Sequence, residues 1–443
     1  MSRINRISRI GLSHDEVFRD ELADAVPYHR MYGKEYCVPS FVHYGETEVE
    51  AIRAAAESVD NVFWKALRFA QRFLPDSFLK TYLGLHPALL AAARVEVPFH
   101  GLSRQDWIVN EAGMKCIENN TDTPTGVPET AYLACELAKR HSPHPATSGG
   151  MRSAIRTAFA ELIEHYRSNG LDGLIVFSSY GWHLEDRINA EYVRNAVGEA
   201  GYRTAYAPLE ELEIVPGDGL YLNGERISIL YRLYPLEYLV HDTEEATGEP
   251  VGRHLLKLVE LGKLGLINPA QSIITQSKGF MALIWSLYER RDETEAYCGF
   301  QLFDAEDAKT IETYLLPAYY ENTLFVRTGT PYVAKGYWGR EGKGTALYDD
   351  AGRLLLDEWG AEDGETPETR QYYERQPKMY QRLFPMQELT IETEDGPYTG
   401  YLLTGAFVVG GRYCGLLPRV GGKITGDMAY YCPAIIHKGG TVG

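Results

Sequence analysis

Apolar residues recur at helical spacing from Thr47 to Phe73 and again from Asp76 to Ala93, so residues 14–95 read mostly as helix. Thr47 with Glu50 three residues on fits a capping box at the first start, and Pro75 separates the two stretches. The rhythm then shortens. Arg104 to Asn110 and Met114 to Asn120 read as two short strands around a three-residue turn, Glu111-Ala112-Gly113, with Gly third. Helices are expected over Glu129 to Arg140 after Pro128 and over Met151 to Ser168, with a polar loop from His141 to Gly150 between them. Residues 172–240 alternate as an α/β unit: a buried strand Gly173 to Ser178, a helix Glu185 to Ala200 ending at Gly201, and a strand Arg203 to Ala207. A hairpin follows, Leu220-Tyr221-Leu222 joined to Arg226–Arg232 through Asn223-Gly224. Two more helices are expected, over 250–265 and 278–291. From Pro331 onward the pattern is β-rich: Tyr332-Val333-Ala334, Leu389 to Thr393, Tyr398 to Val409 and Arg412 to Leu417. The acidic stretch 357–370 reads as a loop.

At 443 residues the chain can hold two or three domains, and its net charge of −17 argues against nucleic acid as a partner. An acidic surface is compatible with a cationic small substrate. The six cysteines, Cys37, Cys116, Cys135, Cys298, Cys414 and Cys432, form no C-x-x-C and read as reduced core thiols of a cytoplasmic protein. No apolar run approaches the ~20 residues of a membrane span. The first ten residues carry Arg and Ile at every third position and read as a docking strand or an arm. The oligomeric state stays open, a homodimer included.

The hairpin carries the first chemistry. With the turn centred on Ala112, Asp106 faces Glu118 and Arg104 faces Asn120, and side chains two apart on a strand share a face. Like charges opposed at roughly 5 Å are destabilising in a sheet. A divalent cation would turn that repulsion into coordination, since two carboxylates and an amide are hard oxygen donors of the kind Mg²⁺ accepts. The strand runs on into a dense series of small polar residues, Asn120-Thr121-Asp122-Thr123-Pro124-Thr125-Gly126.

The second constellation is Lys335-Gly336-Tyr337-Trp338-Gly339-Arg340-Glu341-Gly342-Lys343-Gly344-Thr345, whose glycines admit close backbone approach and whose bases suit phosphates. It is neither a Walker A loop nor a dinucleotide fingerprint. Together with Asn268 to Lys278, Tyr380 to Phe384 and Gly415 to Gly426, and with Arg104-x-Asp106 and the run from Glu118 to Thr125, it makes the chain resemble the glutathionylspermidine synthase family of ATP-grasp ligases from about residue 100 to the end.

The resemblance implies an α/β (α+β) permuted ATP-grasp fold, in which magnesium ligands precede the nucleotide-gripping lysines. It divides the chain into an N-terminal helical region (1–98), a part with metal ligands (99–145), an inserted α/β substrate-binding domain (146–268) and a nucleotide-binding part (269–443). It implies that Asp106, Glu118 and Asn120 hold two Mg²⁺ ions. Lys278 and Lys335 would grip the phosphates of ATP, with Gly339 and Gly342 in the covering loop and Gln381, Arg382, Leu383 and Phe384 at the adenine. Arg340 would close over the reacting phosphoryl group, and Arg104 and Arg419 would orient the carboxylate and its acyl phosphate. Thr123 and Thr125 would face the substrate, and Glu185 and Asp186 stand where amine-binding carboxylates are expected. An acid pair at a helix start is also favoured by the helix dipole alone.

Two departures stand out. Only about 100 residues precede Arg104, too few for the amidase domain of bifunctional members, so Cys37 and His43 read as structural; and Pro433 is followed by Ala434, where the family often has His. The expected activity is amide formation from a glutathione-like or other short-peptide carboxylate and a polyamine-like amine. A ligase acting on a peptide or protein terminus and a nucleotide-binding protein without turnover are the alternatives.

Overall fold

The computed structural model describes residues 6–357 and 367–438; most of the acidic stretch read as a loop lies outside them, and its end forms the helix Pro367–Arg375. The strand Ser40–Gly45 runs straight into the 28-residue helix Glu46–Phe73. That helix starts one residue before Thr47. Its cap is therefore the Glu48 carboxylate accepting from the Gly45 N–H at 3.2 Å, with no Thr47–Glu50 box. The same carboxylate holds Arg6 at 2.8 Å, and Ile7–Arg9 pairs with Ser40–Gly45, so the described part of the N-terminal arm is a docked strand. Ser40–Gly45 also pairs in parallel with Ala434–His437, so Ile7–Arg9 and Ala434–His437 share one sheet.

The expected helix over Asp76 to Ala93 is two, Asp76–Tyr82 and Leu90–Ala93. Gly84 at φ +70° and Pro87 break it, as a left-handed residue and a missing donor must.

The hairpin Leu102–Asn110/Gly113–Asn120 belongs to a six-stranded antiparallel sheet with Arg412–Gly421, Gly396–Val409 and Gln387–Thr393. Its buried face lies under Ile52, Ala56, Val59 and Phe63 of the long helix, and the Gln105 amide donates to the Ala56 carbonyl at 2.9 Å. The turn is tighter than its sequence suggests. Asn110 pairs with Gly113, leaving only Glu111 and Ala112 in the loop, and Ile117 is bulged out between the Trp107–Cys116 and Asp106–Glu118 pairs. The bulge restores the register, so Asp106 faces Glu118 and Arg104 faces Asn120.

The α/β unit has a sheet centred on Glu225–Arg232, flanked in parallel by Leu174–Ser178, with Thr204–Tyr206 beyond it. Gly265–Ile267 joins it as a strand, so the helix expected over 250–265 stops at Glu260. The last sheet is antiparallel, in the order Ala318–Tyr319, Lys378–Arg382, Tyr332–Gly336, Thr345–Tyr348, Leu354–Asp357. All six cysteines are free thiols, and no helix among the described residues is long and apolar enough to cross a membrane.

Candidate active site

The last three of these sheets surround one cavity of about 1140 Å³, above the usual range of roughly 300–1000 Å³ for a single small-molecule site. All the candidate residues line it except Lys278 and Gly339. Lys278 nonetheless reaches it, its ammonium 2.8 Å from the Glu118 carboxylate.

The floor is set by the hairpin. Asp106 lies between two arginines, Arg104 Nε at 3.1 Å and Arg419 at 3.0 Å. Gly405 pairs with both Asp106 and Leu417, and a Cβ there would stand 3.0 Å from Arg104 Cδ, so the bare backbone makes room for that side chain. Burial would raise the Asp106 carboxyl, but Arg104 and Arg419 hold it below the ordinary range. The Asn120 amide is 3.4 Å from the same carboxylate. Asp106, Glu118 and Asn120 thus converge on one face of one hairpin and fit a hard divalent cation.

The lysines come from two other elements. Lys278 sits at the start of helix Gly279–Glu289 and also donates to the Gly339 carbonyl at 2.5 Å. Lys335, on strand Tyr332–Gly336, donates to the Ile117 carbonyl and to Gln381 Oε1, each at 2.9 Å. The bulge that sets the carboxylate register therefore also presents the carbonyl that seats Lys335. Burial, with Lys278 adding to it against the pull of Glu118, pushes the Lys335 ammonium down to about 8. Gln381 keeps its amide nitrogen buried and unpartnered, a donor open to a ligand acceptor, and Arg382, Leu383 and Phe384 continue the wall.

The glycine loop folds over this cluster. Tyr337 and Trp338 are buried, with Trp338 N–H bonded to Gln376 Oε1 at 2.9 Å, so the loop is anchored at its start. Gly339 has no room for a side chain: a Cβ would lie 2.4 Å from the Lys343 carbonyl. Gly342 stands at φ +77°. Arg340 reaches inward to Glu237 at 2.8 Å and to Thr123 Oγ1 at 3.2 Å, and Glu237 keeps it charged in spite of burial.

The polar run after Asn120 is held by groups that sequence reasoning did not single out. Gln276 Oε1 accepts from the N–H groups of Thr121 and Asp122 at 2.8 and 2.9 Å. Asp122 forms a fully buried ion pair with Arg232 at 2.5 Å and accepts from Leu236 N–H at 3.0 Å, tying the run to the α/β unit. Asp122 stood in the quoted motif, whereas Arg232 had no signal beyond a charge at the end of an apolar strand. Thr125 offers its carbonyl to Arg104 at 3.0 Å. Glu185 and Asp186 open the helix Leu184–Gly198 at the cavity wall, where His183 Nδ1 lies 3.2 Å from Asp186. Behind Glu185 is Glu129, read from the sequence only as the first residue of a helix. Its carboxylate is fully buried and accepts from Tyr28 and Tyr36. Cys37 is buried, and His43 packs beside His437 with Ser8 Oγ 2.6 Å from its Nε2.

These elements define a mixed α/β fold of the glutathione synthetase-like class. Residues 12–437 match the model of the glutathionylspermidine synthase preATP-grasp family, and the chain belongs to that family. A Haemophilus influenzae protein named "Putative acid--amine ligase" is 22% identical over 339 residues, 74% of this chain and 73% of that one. The apo structure of a glutathione synthetase-like effector (GSS30) from Globodera pallida shares the fold, with a TM-score of 0.53 at 10% identity over 96% of this chain and 100% of that one. The family is one of ATP-grasp acid–amine ligases, which generally use ATP and Mg²⁺.

Proposed function

We propose that this protein is an ATP- and Mg²⁺-dependent ligase that joins a short-peptide carboxylate, glutathione-like, to a polyamine-like amine through an acyl phosphate. The observation that carries the reading is the contact between the two constellations: Lys278 on Glu118 at 2.8 Å, and Lys335 on the carbonyl of Ile117, one residue before it. Groups more than 150 residues apart in sequence, as Glu118 and Lys278 are, meet, and phosphoryl transfer needs metal ligands and fixed cations side by side in this way.

Asp106, Glu118 and Asn120 would hold Mg²⁺, which when bound shields the phosphoryl oxygens and acts as a Lewis acid. Lys278 and Lys335 fix the phosphates, and Gln381 to Phe384 line the nucleotide base. Arg104 and Arg419 orient the carboxylate that attacks the terminal phosphorus of ATP, releasing ADP and leaving an acyl phosphate. Arg340 sits above the transferring group, held by Glu237 and Thr123, where fixed positive charge stabilises what develops on the oxygens. Gly339 and Gly342 let the loop lie close. Thr123 and Thr125 border the carboxylate, and Glu185 with Asp186 receives the cationic amine. The division at 98/99, 145/146 and 268/269 and a cytoplasmic location belong to the same reading.

The test is phosphate release from ATP, screened over pairs of carboxylates and amines with and without Mg²⁺. Release that requires both partners supports a ligase. Nucleotide binding with no release for any pair would leave the reading without support.

A further inference from the structure

The most exposed aromatic surface of this chain gathers at the mouth of the cavity. Tyr32 (80%) and Trp182 (74%) are the two most exposed large apolar or aromatic side chains among the described residues. Leaving two such rings in water forgoes much of the largest apolar gain a side chain can make, and exposed aromatic surface beside a cavity marks a contact site.

Tyr32 lines the cavity, and Asp427, Glu341, Glu185 and Lys343 of the same lining all act on its hydroxyl. Its backbone is strained as well. Met31 pairs with Lys34, so Tyr32 and Gly33 alone make the turn between the strands Arg30–Met31 and Lys34–Glu35. Their φ angles of +51° and +76° are those of a type I′ turn, whose first position favours Asn, Asp or Gly. A bulky ring on left-handed backbone is a genuine outlier. Folding gains little from it, because the ring is bare and Asn would suit the turn better. Strain of this kind persists where a side chain is kept for its function.

Trp182 stands on a fastened turn. The Tyr180 carbonyl accepts from His183 N–H at 3.2 Å, the Ser179 carbonyl from Leu209 N–H at 3.0 Å, and Glu210 Oε2 from Gly181 N–H at 3.3 Å. The turn lays the Trp182 ring on that of Tyr180, with centroids 5.4 Å apart and planes 25° from parallel. Tyr234 braces Tyr180 edge-on at 4.9 Å, and His183 covers the Trp182 edge at 5.5 Å. Tyr180, Tyr234 and His183 line the cavity, so the stacked pair carries its wall outward to a bare indole face.

We propose that Tyr32 and the Tyr180–Trp182 pair form a stacking subsite at the cavity mouth, which takes an aromatic ring carried by one of the two substrates. The inference rests on the ligase reading above and adds a substrate feature to it, a planar π system away from the reacting group. Offset stacking on a ring face attracts beyond the apolar area it covers, which a saturated ring of equal size does not reproduce.

The test reads binding and turnover separately. With Mg²⁺ and a non-hydrolysable ATP analogue present, wild type and Trp182→Leu are titrated with phenethylamine, cyclohexylethylamine and spermidine on the amine side, and with γ-glutamylphenylalanine and its cyclohexylalanine analogue on the carboxylate side. Tryptophan fluorescence of the wild type minus that of the variant reports Trp182. On one side the planar ring should bind about tenfold tighter than its saturated counterpart, the size of one stacking contact, and should quench Trp182. That side names the substrate that carries the ring. The preference should vanish in Trp182→Leu and fall in Tyr32→Asn, while Tyr32→Asn melts higher than wild type because the turn is relieved. No ring preference on either side, a preference that survives Trp182→Leu, equal quenching by spermidine, or a lower melting temperature for Tyr32→Asn would each overturn the proposal. Self-association lost in Trp182→Leu, with no ring preference, would assign the bare indole to a protein contact instead. A ring preference without ADP release from any substrate pair would keep the subsite and overturn the ligase reading.

Discussion

The two ends of the cavity treat negative charge in opposite ways. At the hairpin, Asp106 lies between Arg104 and Arg419, and Glu118 meets Lys278. At the other acidic group, Glu129 meets two phenols and Glu185 meets a threonine and its own kind. A balanced site is built to keep carboxylates ionised and in place, as metal and phosphate binding require. An unbalanced one stores the capacity to take up a proton or a cation. On the proposed reading, one chain would keep its activating chemistry and its acceptor chemistry apart through the partners it gives to the same side chain.

The sharpest way to break that comparison is Glu118→Ala. It removes a proposed metal ligand and frees Lys278, and ATP turnover should fall by about 1000-fold, the upper end for loss of one electrostatic element, with an unchanged circular dichroism spectrum. Retained turnover would mean that the hairpin is only a polar surface.

Lys335→Met should also stop turnover, but with a gain. Burial lowers the Lys335 ammonium to about 8, while an unfolded lysine titrates near 10.4. The fold therefore bears a penalty that is fully present below pH 8 and disappears as pH rises towards the ordinary lysine value. At pH 7 the variant should melt a few degrees higher than wild type, and the difference should shrink at pH 10. A lower melting temperature at pH 7 would show that the Ile117 and Gln381 contacts outweigh the burial.

Asp186 sharpens the acceptor end. It is tied to His183 at 3.2 Å, whereas Glu185 forms no ion pair among the described residues. Asp186→Ala should raise the amine KM about fivefold, as loss of roughly 1 kcal/mol of uniform binding does, with kcat and the ATP KM little changed. A large fall in kcat with an unchanged amine KM would contradict that role.

The smallest effect concerns the loop. With Tyr337 and Trp338 anchored, closure over the nucleotide is expected within residues 340–344. Trypsin cleavage after Lys343 should slow several-fold with a non-hydrolysable ATP analogue and Mg²⁺. Equal cleavage in both states would show a loop set before nucleotide arrives.

Much of this was legible in the chain because it depends on local rules. The facing of Asp106 with Glu118 followed from strand arithmetic even though the turn is one residue shorter, because the bulge at Ile117 returns the residue that the turn gives up. No sequence pattern announces such a bulge, since Ile117, between Cys116 and Glu118, is as suited to a regular strand as to a bulge. The strands Gly265–Ile267 and Lys378–Arg382 were missed for a related reason: each is short, and its sheet partners lie far away in sequence. Glu129 shows the deepest limit. A Glu after Pro128 looks like any helix start, and only the fold reveals that Tyr28 and Tyr36, from a segment about 100 residues earlier, enclose it.

The most direct test of the central claim is ADP release measured together with amide product, for purified protein with ATP, Mg²⁺ and a matrix of peptide carboxylates and amines. The account predicts one ADP per amide, dependence on Mg²⁺ and on the carboxylate, and no product from the Glu118→Ala variant. ADP release that ignores the carboxylate, or amide formed without ADP, would contradict it.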